Sequence, residues 1–218
     1  NSYEFKKEMD KKYKINCICI LNPFNFNEIK KKSSYKTNYI FQKKNTKLIT
    51  VGRITDQKDF ITILKAINIV KKNNIELVII GKGENEVEIK KYIKLNNLKK
   101  KVRLLGYKKN PFPYIKQADL FLLSSKFEGL PNVLVEALYL RKFIISTDCP
   151  TGPKEILNNG KYGELVKIGD YKKIAKLIDN FKKNKIVNNK IISGYKSLKK
   201  YNYKINCEKY YQLIKNYL

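Results

Sequence analysis

The chain of 218 residues contains no histidine and no tryptophan, and only one methionine. Without histidine, a Cys–His nucleophile pair is impossible within it and the usual mixed zinc sites are missing. Its four cysteines (Cys17, Cys19, Cys149, Cys207) form no CxxC pair. They read as reduced thiols of a cytoplasmic protein, with Cys149 a small buried filler rather than a nucleophile. No run of eighteen apolar residues occurs, which excludes an apolar transmembrane span. Residues 15–21 are too short and too far inside to be a secretory core. The chain begins at Asn1 rather than Met, so a piece of a longer protein is expected.

Acidic residues are scarce: 19 Asp and Glu stand against 47 Lys and Arg, a formal charge of +28. Arginine is scarce within that excess, at Arg53, Arg103 and Arg141 only. Abundant Lys, Asn and Ile together point first to AT-rich coding. Attraction to acidic lipid headgroups comes second. A nucleic-acid reader comes third and is not expected as a partner, because such proteins use arginine for bidentate contacts. Here the lysine runs also lack interleaved aromatics. What is present otherwise is ordinary: 43% hydrophobic and 30% charged residues make a globular composition.

From residue 46 onward, apolar runs alternate with helical patterns. Strands are predicted at 48–51, 76–80, 102–105, 119–124, 143–147 and 164–166. Helices are predicted at 59–70, 85–95, 111–117, 134–140 and 153–157. Continuous apolar strands separated by helices imply a parallel sheet covered on both faces. The predicted fold class is therefore α/β, a doubly wound parallel sheet over residues 46–184. Residues 15–21 alternate like a further strand within a leading segment, 1–45, that is polar from Asn22-Pro23 to Lys47. Residues 185–218 carry helical signals only. The last helix, 205–218, places Tyr210, Leu213, Ile214 and Tyr217 on one stripe that should pack against something.

Ligands of doubly wound sheets bind beyond the carboxyl ends of the strands. Three unusual stretches fall there. In Gly52-Arg53-Ile54-Thr55-Asp56-Gln57-Lys58, an Arg and a Lys can converge on an anion before a helix. Gly81-Lys82-Gly83 lacks the third glycine of a dinucleotide fingerprint, so a tight turn is expected there and a nicotinamide cofactor is not. Ser124-Ser125-Lys126-Phe127-Glu128-Gly129-Leu130-Pro131-Asn132-Val133-Leu134-Val135-Glu136 passes from a strand through a turn into a helix, whose unpaired amides suit a diphosphate. Glu136 shares a helix face with Asn132. Carboxylates beside an anion site are tolerable only where they grip hydroxyls, as in a sugar.

The Glu128-x7-Glu136 spacing, with Val51-Gly52-Arg53…Lys58, Ile80-Gly81-Lys82-Gly83 and Val102-x-x-Leu105-Gly106, resembles the C-terminal domain of family 4 (group 1) retaining glycosyltransferases of the GT-B fold. The resemblance covers about three quarters of the chain. It implies a UDP-linked hexose or N-acetylhexosamine donor, with no metal and no further cofactor. Arg53 and Lys58 would neutralise the diphosphate, Glu136 would hold ribose hydroxyls, and Glu128 would contact hydroxyls of the transferred sugar. Gly52 and Gly81 would shape the turns, and amides from Gly129 and Leu130 through Asn132, Val133 and Leu134 would line the phosphates. Gly106 and Tyr107 would present backbone to the base. Arg53, Lys58 and Glu128 are thus the expected catalytic residues. Residues 1–45 would lead in from a preceding N-terminal domain that recognises a glycan or lipid-linked acceptor, and the last helix would cross back to it. The stretch Cys149-Pro150-Thr151-Gly152-Pro153 is similar to loops of enzymes that build lipid-linked glycans and surface polysaccharides, which implies work at the inner face of the cytoplasmic membrane. Alternatives are another GT-B enzyme, such as a sugar-nucleotide epimerase, and a basic nucleic-acid-binding α/β module.

Overall fold

Six short runs of aliphatic residues pair side by side, all parallel, in the computed structural model, which describes residues 1–216. The elements run in the order α1 (Tyr3–Tyr13), α2 (Phe26–Ser33), β1 (Thr46–Val51), α3 (Phe60–Ile69), β2 (Ile75–Ile80), α4 (Glu86–Leu95), β3 (Val102–Leu104) and α5 (Phe112–Gln117). They continue with β4 (Leu120–Leu123), α6 (Asn132–Tyr139), β5 (Phe143–Thr147), α7 (Pro153–Ile156), β6 (Glu164–Val166), α8 (Tyr171–Asn180), α9 (Lys185–Lys196) and α10 (Tyr203–Lys215). The sheet order is β3-β2-β1-β4-β5-β6. The chain thus winds outward from β1 in one direction, then returns to start again beside it.

The strands read as unbroken apolar runs because both faces are covered. Leu48, Leu77, Ile79, Leu120, Leu122 and Ile145 pack with α3, α4 and α8 on one side. Their sequence neighbours Ile49, Val78, Ile80, Phe121, Leu123 and Ile144 pack with α2, α5 and α6 on the other. Alternation along each strand divides these side chains between two cores. Each full burial of such a side chain stabilises by about 1.5–3 kcal/mol. Glu76, near the start of β2, is a charged strand residue that is buried. It accepts hydrogen bonds from the Tyr39 hydroxyl and, at 2.9 Å, from the Gln42 amide, which ties the leading segment to the sheet.

The flanks depart from the sequence expectation. Residues 15–21 form no strand, and Ile15 and Ile18 are exposed. A period of two makes a strand only where the segment meets a partner strand; of these residues only Ile20 and Leu21 are buried, and the pairing nearby is a single bridge from Phe24 to Asn202. Before it lies a helix that was not expected. Helix α1 buries none of its residues; the Ser2 cap, a Lys6–Asp10 pair one turn apart, and bonds from the Tyr3 and Glu4 amides to the Glu155 carboxylate hold it. Helix α2, within the stretch expected to be merely polar, is capped by Asn25 and buries Ile29. At the other end, Tyr210 and Ile214 of the α10 stripe stay exposed; Tyr217 lies outside the described residues, as does the end of the helix expected to reach 218. No helix among the described residues is long and apolar enough to cross a membrane.

Candidate functional site

The return of the chain from β3 to β4, beside β1, creates a switch point, and the loops after β1 and β4 face each other there. They are stitched together by polar bonds. The Lys126 amide donates to the Gln57 carbonyl at 2.8 Å, and the Gln57 side chain donates to the Phe127 carbonyl at 2.9 Å. The Ser124 hydroxyl lies 2.8 Å from the carbonyls of both Lys58 and Asp59. Across this seam the Lys58 Nζ sits 2.6 Å from Glu128 Oε1, with side chains only 16% and 7% exposed. Two residues expected to grip different parts of a ligand therefore neutralise one another. The Glu128 backbone is held as well: its amide donates to the Pro150 carbonyl at 2.6 Å, and its carbonyl accepts from the Thr151 amide and hydroxyl at 2.9 and 3.0 Å. Gly152 makes that approach possible. It has φ +91°, and a Cβ there would lie 2.5 Å from the Gly129 carbonyl oxygen.

On the other side of β1, glycines let three strand-end turns lace together. Gly52 donates to Ile80, and Gly81 donates to Gly106, each at 3.0 Å. A Cβ on Gly81 would stand 1.9 Å from the Gly52 carbonyl oxygen, so only glycine closes this turn. The result is a cleft of about 330 Å³ lined by Gly52, Arg53, Gly81 and Tyr107 of the expected residues. Gly106 stands behind it, with φ +67°, and turns Tyr107 into the lining. Arg53 is exposed, and its guanidinium has no hydrogen-bond or ion-pair partner among the described residues. Lys82, Lys108 and Lys109 also line the cleft. Sequence reading missed them because lysine is everywhere in this chain.

The third group sits at the start of α6. The Leu134 amide donates to the Pro131 carbonyl at 2.9 Å and its side chain is fully buried, so Leu134 is not free to line a phosphate as expected. The amides of Gly129, Leu130, Asn132 and Val133 take no acceptor among the described residues. The Asn132 side chain accepts from Asn22 at 2.7 Å. Glu136, on the same helix face, is half-buried and has no hydrogen-bond donor among the described residues. Desolvation pushes its carboxyl from about 4.5 up to about 7. Cys149, behind Glu128, is buried, and its thiol is pushed up to about 11 by burial, which suits a filler.

Fold and rim together define a doubly wound, Rossmann-like α/β domain whose switch point carries two cations, two carboxylates and a set of open amides. The family described as "Glycosyl transferases group 1" matches residues 31–202. The chain belongs to that family. It is 38% identical over 148 residues to an uncharacterised glycosyltransferase of Methanocaldococcus jannaschii, covering 61% of this chain and 35% of the relative. An alpha-1,4-N-acetyl-D-galactosaminyltransferase of Campylobacter jejuni, named for a diNAcBac-PP-undecaprenol-linked GalNAc pair, is 34% identical over 179 residues, 78% of this chain and 47% of that protein. The chain spans less than half the length of these curated relatives. Among solved structures, an S. aureus TarM variant in complex with fondaparinux, alpha-GlcNAc-glycerol and UDP superimposes with a TM-score of 0.83 at 19% identity, over 97% of this chain and 42% of that one. Anabaena HepE in complex with UDP-glucose gives 0.74 at 18% identity, over 90% of this chain and 57% of HepE. The fold expected from the motifs, the Rossmann-like half of a GT-B glycosyltransferase, is the fold observed.

Proposed function

We propose that this chain is the donor-binding domain of a retaining glycosyltransferase. It would take a hexose or N-acetylhexosamine from a UDP-linked donor for transfer to a glycan or lipid-linked acceptor in surface polysaccharide or glycan assembly. The observation that carries the reading is the convergence, at one switch point, of Lys58 and Glu128 on facing loops, with Arg53 in the adjoining cleft and an unpartnered Glu136 on α6. Arg53 and Lys58 supply the positive charge that a diphosphate leaving group needs, in place of a metal. The amides of Gly129, Leu130, Asn132 and Val133 add donors, and the two carboxylates accept from ribose and sugar hydroxyls. Acceptor recognition would belong to a further domain. The net charge of +28 would favour residence at the acidic inner face of the cytoplasmic membrane.

Calorimetric titration with UDP tests the reading. Binding by the wild-type chain is expected, weakened about tenfold or more in Arg53→Ala, because a charge-assisted contact contributes about 1.5–3 kcal/mol. Salt-sensitive binding of random oligonucleotides with no response to UDP would favour the nucleic-acid module instead.

Glu136 makes the titration pH-dependent. Ribose hydroxyls donate to the ionised carboxylate, so UDP binding should release a proton near pH 7 and tighten between pH 6 and 8. Calorimetry in buffers of different ionisation enthalpy reads that proton directly. Stability moves the opposite way. With the folded pKa near 7 and the unfolded one near 4.5, the native state holds the extra proton between them, so stability falls as pH rises through that window. Glu136→Gln removes the charged form, and it is expected to be more stable than wild type at pH 8 by about 2–3 kcal/mol, less than the roughly 3.5 kcal/mol that about 1.4 kcal/mol per pKa unit gives, because the side chain is only half-buried. That gain should vanish below pH 4 in urea titrations, while UDP affinity falls at every pH.

A further inference from the structure

Ser125 plays no part in the reading above, yet it is fully buried at the centre of the seam. Its hydroxyl donates to Glu128 Oε1 at 2.6 Å, the same oxygen that Lys58 approaches at 2.6 Å. Its own carbonyl accepts from the buried Thr147 hydroxyl at 2.7 Å, at the end of β5, so the serine is fixed to the sheet. Glu128 Oε2 takes no donor among the described residues and is not among the sealed, unpaired polar atoms. The two carboxylate oxygens therefore have different employments: one is bonded inward twice, the other is open.

Resting on the donor-binding reading, we propose that Ser125 is a positioning residue for sugar recognition. Its hydroxyl keeps Oε1 of Glu128 turned inward, so that Oε2 faces the sugar hydroxyls when Lys58 leaves Glu128 for the donor's diphosphate. A phosphate is a stronger anion than a single carboxylate and draws the ammonium toward it. Without a second anchor, Glu128 would then be a buried carboxylate free to change rotamer, or to swing after the lysine. The serine supplies that anchor without charge, so it does not compete with the phosphate for Lys58. The backbone clamp from Pro150 and Thr151 fixes where the Glu128 chain runs but not where its carboxylate points; that choice falls to Ser125.

The test is the ratio of the dissociation constant for UDP to that for a UDP-sugar, measured by calorimetry on the whole chain. The probe is whichever of UDP-glucose, UDP-galactose and their N-acetyl counterparts the wild type binds tightest. Ser125→Ala is expected to reduce that ratio about fivefold, and to have no further effect when added to Glu128→Ala. A loss of packing alone would lower the melting temperature without changing the ratio, and would act equally in both backgrounds. Ser125→Cys, a near-isostere with a weaker donor, carries the same test should the alanine variant not fold, and its ratio should also fall. A ratio equal to wild type in these variants, or an equal fall in the Glu128→Ala background, overturns the role of Ser125 alone. Absence of UDP binding by the wild type would overturn the donor-binding reading and this inference together.

Discussion

Lys58→Met is expected to lower the unfolding free energy by about 3 kcal/mol and UDP affinity by about 10- to 100-fold. The stability loss follows from what remains behind. Glu128 is 7% exposed, and among the described residues its only other side-chain donor is Ser125. Breaking a buried pair from one side strands the other charge, which costs about 3–5 kcal/mol, and the surviving serine bond places this site at the lower end. Removing both charges together, in Lys58→Met/Glu128→Leu, should restore most of the stability while leaving UDP binding impaired. Urea unfolding of the three proteins separates these contributions; a loss under about 1 kcal/mol in the single variant would mean that the pair is solvated and not buried. Arg53→Ala is the natural contrast. Arg53 is exposed and its side chain is unpaired among the described residues, so its loss should weaken UDP binding while changing stability by no more than about 0.5 kcal/mol.

The second large effect belongs to backbone. Gly81→Ala is expected to destabilise by about 4 kcal/mol or more, because its Cβ would meet the Gly52 carbonyl oxygen at 1.9 Å. Neither atom can move alone. Gly52 donates to Ile80 and Gly81 to Gly106, so relief requires three strand ends to separate. The cleft beside Arg53 and Tyr107 would open with them. Gly169→Ala serves as the control: φ is +76° there, but nothing lies within 4 Å of the added carbon. It should cost only the left-handed backbone penalty of about 1–2 kcal/mol. Thermal melts of the two variants distinguish a steric requirement from a conformational one.

Particular elements explain how far sequence reading reached. The bounds 143–147 and 164–166 are those observed for β5 and β6. β1 starts two residues earlier than expected, since Thr46 and Lys47 are half-buried and carry no apolar signal. Helix α1 went unpredicted although Phe5, Met9 and Tyr13 recur every four residues, because charged residues dominate the segment and none of its residues is buried. Residues 15–21 gave the opposite error: they alternate, yet they lie in no sheet and bury only Ile20 and Leu21, because pairing is a tertiary event that local sequence does not encode.

What the sequence alone determined is the layered α/β architecture and the rim on which its unusual residues gather. Unbroken apolar strands demand cover on both faces, and glycines and charges at strand ends mark one edge of the sheet. Only the tertiary structure decided which of those residues meet. Lys58 and Glu128 lie 70 positions apart and touch because β4, not some other apolar strand, lies beside β1. Strands of similar composition do not specify their order by local pattern. The raised pKa of Glu136 has the same origin, since desolvation is set by everything packed around a carboxyl and by no residue next to it in the chain.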